Sequence, residues 1–318
     1  MARGDPVLAQ FEAAISAMHP REIQNALQGL AVTRPAAPPP AGPSGSAGTE
    51  PDGLPAPLGE LLGAIKAPAA GRQLLRLISD ARLAQPVTVT PATAARMTRP
   101  YAWLLDRVGP AGIKLTDAGH LPPPHVQAAV ADLGLAGQGG TTGGASRREN
   151  RTPPVRHLRE SAVSMGLLGR ERGYLVLTSR GSAVRGDPVA LWWHLAERMP
   201  VPSAVTCEVD AGLVLLTCVA ARFTDTLDET TGRMLAAMGW TNPDGTPLTG
   251  VAAAGAVWAT RTVLRRLGAF SGIPQRDHPD RPAPDGVTFA RAALLSWPGR
   301  AATGRGGATP PPSAAGRG

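Results

Sequence analysis

The sequence predicts a mainly α protein with short β-hairpins, arranged as tandem modules joined by disordered linkers. Three observations carry this. Apolar residues recur three and four apart between Pro- and Gly-rich breaks, which is the spacing of one buried helix face. A second pattern occurs twice: an amphipathic helix ends at Gly and is followed by a short strand and then Leu-Thr-x-x-Gly. The first copy holds Trp103, Leu104, Leu105, Gly109, Ile113, Leu115, Thr116 and Gly119; the second holds Leu158, Val163, Gly166, Leu167, Leu168, Leu175, Leu177, Thr178 and Gly181. Third, the chain of 318 residues carries 38 Gly and 33 Pro, many of them in stretches too poor in apolar side chains to offset the entropy of ordering.

In chain order, residues 1–33 read as an N-terminal helical segment, with Leu8, Phe11, Ile15 and Met18, then Ile23, Leu27 and Leu30, at helical spacing. It is expected to dock on the body or on a protein partner. Residues 34–57, with eight prolines among Ala, Gly and Ser, form a flexible linker. Residues 58–136 make a first helical, hairpin-bearing module. Leu58, Leu61, Leu62 and Ile65 lead into Leu74, Leu75, Leu77 and Ile78, and residues 86–89 alternate like a strand. Thr90 and Pro91 then supply an N-cap and a proline suited to the first helical position. The helix over 101–108 stops at Gly109, residues 113–115 form a strand, Thr116 caps the next turn, and three prolines start a helix over 125–133.

Residues 137–151 read as a Gly-rich, then basic, linker. A second module spans 152–202. Thr152 and Pro153 repeat the cap-plus-proline start, and the helix over 153–165 has Val155, Leu158, Ala162 and Met165 on one face. A turn at 169–173 leads to a strand at 174–177, and a helix over 188–199 carries Trp192 and Trp193, one for the core and one for a neighbouring module. Residues 203–298 form a third, mainly helical module. Its end echoes the repeat faintly through Val263, Leu264, Leu267, Gly268 and Phe270, then Val287, Thr288, Phe289 and a helix to Trp297. The low-complexity tail 299–318 is expected to be disordered.

Charge is distributed unevenly. The net charge of +8 hides a basic island over 147–185, with nine basic against three acidic residues, followed by an acidic segment over 186–260, with three against eight. The two segments either present opposite faces or neutralise each other. Thirty of the 32 cationic Lys and Arg residues are Arg, which together with abundant Ala, Gly and Pro fits a GC-rich bacterial genome, so Arg in place of Lys says little about phosphate recognition. Cys207 and Cys218, eleven apart in an apolar stretch, read as buried free thiols. The first twenty residues lack an apolar secretory core, and the longest apolar runs are about half the length that spans a bilayer. A cytoplasmic protein without membrane contact is expected.

Helix, tight strand pair and new helix are the parts of a winged helix. Gly166-Leu167-Leu168-Gly169-Arg170, a short turn, then Leu175-Val176-Leu177-Thr178-Ser179-Arg180-Gly181 resembles the wing of bacterial MarR-type winged-helix regulators over about thirty residues. The modules are therefore expected to be winged-helix-like. In that family the helix before the Gly-Leu pair reads the major groove and the turn between strands is a basic wing. Carried over, the resemblance makes 153–165 the recognition helix and places Arg170 and Arg172 on the wing. The chain departs from the family in its shorter wing and in the linker over 137–151, which leaves 122–133 to supply the support helix. The stretch 114–199 is also similar to uncharacterised actinobacterial proteins encoded near plasmid-type genes, which implies no function.

Double-stranded DNA, or a complex assembled on it, is accordingly the expected partner, with Arg151, Arg156, Arg159, Arg170 and Arg172 as candidate contacts. Phosphate neutralisation supplies most of the affinity in such interfaces, and a helix N-terminus favours anions. The alternative is a protein-interaction scaffold in which these groups are ion-paired: Arg159 with Glu160 or Glu149, and Arg172 with Glu171. No enzyme is expected, because no Ser or Cys nucleophile has a neighbouring base and the Gly-rich run 137–144 has neither a preceding strand nor a following Lys-Ser or Lys-Thr. No cofactor or metal is expected either: the six histidines are scattered, and His120 and His125 are the nearest approach to ligand spacing. Asp225, Asp228 and Glu229 read as complements to a helix N-terminus.

Overall fold

A computed structural model describes residues 56–135, 148–223, 226–242, 244–271 and 280–297. The expected N-terminal helices, most of both linkers and the tail lie outside these residues. Within them the chain is mainly helical, with few and short antiparallel strands. No helix among the described residues is long and apolar enough to cross a membrane.

The first elements are helices α1 (Ala56–Ala64), α2 (Pro68–Asp80) and α3 (Pro91–Val108). Residues 86–89, expected as a strand, form none. The Thr90 hydroxyl accepts the Thr93 N–H at 3.2 Å and Pro91 opens α3, so the start signal in the sequence is the start of the helix. The helix runs through Pro100 instead of beginning at 101, since Met97, Thr98, Tyr101, Leu104 and Leu105 keep one buried face across it. Strand β1 (Ile113–Lys114) follows, then α4 (Pro123–Leu133), a 3-10 turn (Glu149–Arg151) and α5 (Pro153–Ser164). Thr152 does not cap α5; its hydroxyl donates to the Arg148 carbonyl at 3.0 Å.

Strands β2 (Leu168–Glu171) and β3 (Tyr174–Leu177) form a hairpin, and β1 adds antiparallel to β3, giving the order β1-β3-β2. Leu175 faces Ile113 on one side and Arg170 on the other. Arg172 and Gly173 turn the hairpin with φ of 48° and 82°, the positive-φ pair of a two-residue I′ loop. Next come α6 (Ser179–Val184), α7 (Pro188–Glu197), α8 (Thr206–Ala220), α9 (Leu227–Ala237), α10 (Gly250–Arg266), the short pair β4 (Phe270–Ser271) and β5 (Arg281–Pro282), and α11 (Pro284–Ser296).

The two Leu-Thr-x-x-Gly copies are not two hairpins. The first contributes only β1, which joins the sheet of the second, and its Thr116 and Gly119 close a local turn through the Gly119 N–H on the Thr116 carbonyl at 2.7 Å. The second copy instead matches the faint echo. Helix α5 ends with the Leu167 N–H on the Ala162 carbonyl (2.9 Å) across Gly166 at φ 74°, and α10 ends with the Ala269 N–H on the Leu264 carbonyl (2.9 Å) across Gly268 at φ 69°. Both are Schellman closures. Beyond the hairpins, the Thr178 N–H returns to the Leu167 carbonyl at 3.1 Å and the Ala283 N–H to the Ala269 carbonyl at 2.9 Å. Three residues further, Gly181 and Gly286 press so closely on those same two carbonyls that a Cβ on either would overlap its oxygen.

The larger packing repeats as well. Helix α3 packs against α7, α8 packs against α11, and α7 and α11 pack against each other. Buried apolar side chains form one cluster from Leu58 to Trp297. Trp192 is fully buried in it, edge-on to Phe289 at 5.3 Å, while Trp193 is only partly buried.

Candidate functional site

The basic island centres on α5, and α5 is enclosed. Of the candidate arginines, Arg156 is 5% exposed and Arg159 is 1% exposed. Arg151, in the 3-10 turn, and Arg170 and Arg172, on the β2–β3 hairpin, are exposed. The five residues therefore do not converge on one open face, and the spacing that places Arg156 and Arg159 on a shared side of α5 places them on an interior side.

Arg159 is held by Glu149, whose side chain is fully buried: its Nε donates to Glu149 Oε1 at 2.6 Å. Glu149 Oε2 accepts the Leu121 N–H at 2.8 Å and lies 3.4 Å from His120 Nδ1. One carboxylate from the 3-10 turn thus ties α5 to the segment leading into α4. Glu160 lies 3.8 Å from Arg159; burial raises its carboxyl above the usual range, against the pull of Arg159 and Arg156. Arg170 also acts on Glu160.

Helix α10 covers α5 from the outside. Trp258 meets the His157 ring edge-on at 4.8 Å, and Arg266 donates to the Pro154 carbonyl at 2.9 Å and to Ser161 Oγ at 3.4 Å. Tyr101 of α3 reaches the same hydroxyl, its own oxygen 2.9 Å from Ser161 Oγ.

A third buried arginine follows the design of Arg159 and escaped the sequence reading. Arg261 lies six residues before Leu267, as Arg159 lies six before Met165, the residue preceding the Schellman glycine in each case. It is 8% exposed, bonds both oxygens of Asp228 at the start of α9, and lies 3.5 Å from Asp280. The signal was the Leu267-Gly268 step, which sets the register of the two helices. Asp228, read as a dipole complement, is thus also the partner of Arg261.

Cys207 and Cys218 are buried free thiols, and burial pushes both up to about 12, so neither is a nucleophile at neutral pH. No group of metal-binding side chains occurs among the described residues. No family model, curated protein or solved structure matches the chain.

Proposed function

We propose that this chain is a protein-interaction scaffold built from two winged-helix-like modules. Residues 91–197 supply helix, strand, two helices, hairpin and two helices; residues 206–296 supply three helices, a reduced hairpin and a helix. The observation that carries the reading is the enclosure of α5: the helix that would enter a major groove is buried against α10, its counterpart in the second module. A groove reader needs that surface for base edges. Here Pro154, His157 and Ser161 of α5 meet α10, and Arg159 is held by Glu149 of the same module. We place the scaffold in the cytoplasm, in keeping with its two unpaired thiols, and retain residues 1–33 as the candidate contact to a protein partner.

A second reading, association with a DNA complex, is favoured by one observation: Arg151, Arg170 and Arg172 stay exposed. These side chains could meet phosphates without reading sequence.

Gel retardation of the full chain with duplex DNA at low salt separates the two. The scaffold reading expects no retention, and it expects hydrogen exchange along α5 to be slow and unchanged by DNA. Retention that fails when Arg151, Arg170 and Arg172 are replaced by Ala supports the second reading. Sequence-preferring retention with altered exchange at α5 overturns the scaffold.

A further inference from the structure

A cleft opens where the end of α5, helix α6, the end of α7 and the end of α11 meet, lined by Gly166, Arg180, His194, Glu197, Arg198 and Ser296. We propose that it is a binding site for one phosphate group, gripped by the guanidinium groups of Arg180 and Arg198. The proposal stands apart from the scaffold reading.

The two arginines come from different helices and are fixed by one histidine and one carbonyl. Arg180 Nε donates to His194 Nδ1 at 3.1 Å, and His194 Nε2 donates to the Met165 carbonyl at 2.8 Å. Both ring nitrogens are engaged, so the imidazole is neutral and adds no charge. Arg198 Nε reaches the same Met165 carbonyl, but at 3.4 Å, long for a charged donor. Among the described residues no carboxylate lies within ion-pair distance of Arg198. Its guanidinium rests over Gly166, where a Cβ would come within 3.2 Å of Nη2. The bare backbone leaves room for the fork to lie flat.

The cleft therefore holds two guanidinium groups against one carboxylate. That carboxylate, Glu197, is 3.5 Å from Arg180 Nη2, and the two side chains are 45% and 49% exposed, a loose pair that a better acceptor displaces. Phosphate has the charge to exceed Glu197 and enough oxygens for two planar forks at once. Other roles for the pair are weaker: His194 already serves the Met165 carbonyl, so the end of α5 does not need Arg198 as well.

The test is a titration of the full chain with inorganic phosphate, and separately with a nucleoside monophosphate, read by thermal melting and by the His194 ring resonances. Sodium chloride at matched ionic strength is the control. We expect saturable stabilisation and a shift of the His194 signals; tighter binding of the monoester would identify an esterified phosphate as the source, and tighter inorganic phosphate a free ion. Arg198→Lys, which keeps the charge and loses the fork, weakens binding about tenfold. Glu197→Gln removes the competitor and strengthens it several-fold, whereas Arg185→Lys, altering an arginine paired to Asp106 outside the cleft, leaves it unchanged. No response beyond that of chloride, or the same response in Arg198→Lys, overturns the proposal; Arg198 would then serve only as a cap on α5.

Discussion

Arg159 and Glu149 bury opposite charges in a nearly dry setting, and such a pair is costly to break from one side. Removing either partner leaves the other charged, desolvated and without compensation, a loss of about 3–5 kcal/mol. Glu149→Gln and Arg159→Ala are each expected to lower the unfolding free energy from a urea series by that order, and Arg156→Ala with Arg159→Ala to unfold the region before any effect on DNA can be read. A double variant at Glu149 and Arg159 that restores much of the loss with apolar residues would confirm the pair as the cause. The pairing of Arg159 with Glu149 was legible in the sequence as the alternative to DNA contact; its burial was not. Arginine, histidine and glutamate in succession look like a solvated face until Glu149 is known to turn in on Arg159 and Trp258, about a hundred residues away, to lie against His157. Arg172 is the opposite case, an exposed side chain at φ 48° where glycine or asparagine sits with less strain. Arg172→Asn is expected to stabilise the fold by about 0.5–1 kcal/mol, measured by chemical denaturation.

His194 gives a residue-scale prediction in pH. Burial, with help from Arg180 and Arg198 and against its bond to Met165, lowers it from 6.5 to about 4. Between those values the unfolded chain binds the proton and the folded chain does not, so stability falls as pH drops through the window. Glu160 and Glu208 are raised and act in the opposite sense. The His194 contribution is therefore the difference between parent and His194→Gln, present above about pH 6.5 and lost toward pH 4. A difference that is flat across that range would show the ring to be solvated.

At the scale of elements, local signals fixed boundaries well and partners poorly. Cap and proline marked the start of α3, the 153–165 reading came within a residue of α5, and the strand 174–177 is β3. Thr178 acts twice, accepting the Gly181 N–H at 2.8 Å and donating to the Gly166 carbonyl at 2.7 Å. What periodicity could not supply was which copy pairs with which. Leu-Thr-x-x-Gly recurs at Leu115 through chance of spelling, whereas the true counterpart of Thr178 and Gly181 is Ala283 and Gly286, where the motif is erased but the backbone bond and the close approach survive. The physical requirement is a missing Cβ beneath a carbonyl. Gly181→Ala and Gly286→Ala are accordingly both expected to cost about 3 kcal/mol or more, while Gly119→Ala, facing only the tip of Arg170 at 4.0 Å, costs about 1–2 kcal/mol through its left-handed φ of 73° alone. Equal tolerance of all three changes would remove the case for matching the two hairpins.

For the whole molecule, the decisive question is whether the two proposed modules fold as one. The acidic and basic stretches cancel only in part: Glu149 and Glu160 both sit against Arg159 within the island, Arg180 reaches Glu197 of the acidic stretch, Arg185 pairs with Asp106, and Asp228 is committed to Arg261. What joins the modules is the apolar cluster, the α7–α11 contact, and the α5–α10 contact through Trp258 and Arg266. Tryptophans report on both sides, with Trp103, Trp192 and Trp193 in the first module and Trp240, Trp258 and Trp297 in the second. A shared core predicts one cooperative transition, with tryptophan fluorescence and helical dichroism coinciding along a urea series. Arg266→Ala leaves the Pro154 carbonyl without its donor and should lower the unfolding free energy by roughly 1–2 kcal/mol while keeping a single transition. If the parent instead unfolds in two steps, with the second module lost first, α5 would be uncovered in a folded first module. The Pro154 and His157 side of the helix would then lie open, and a DNA-reading state would have a physical route that the closed structure denies it.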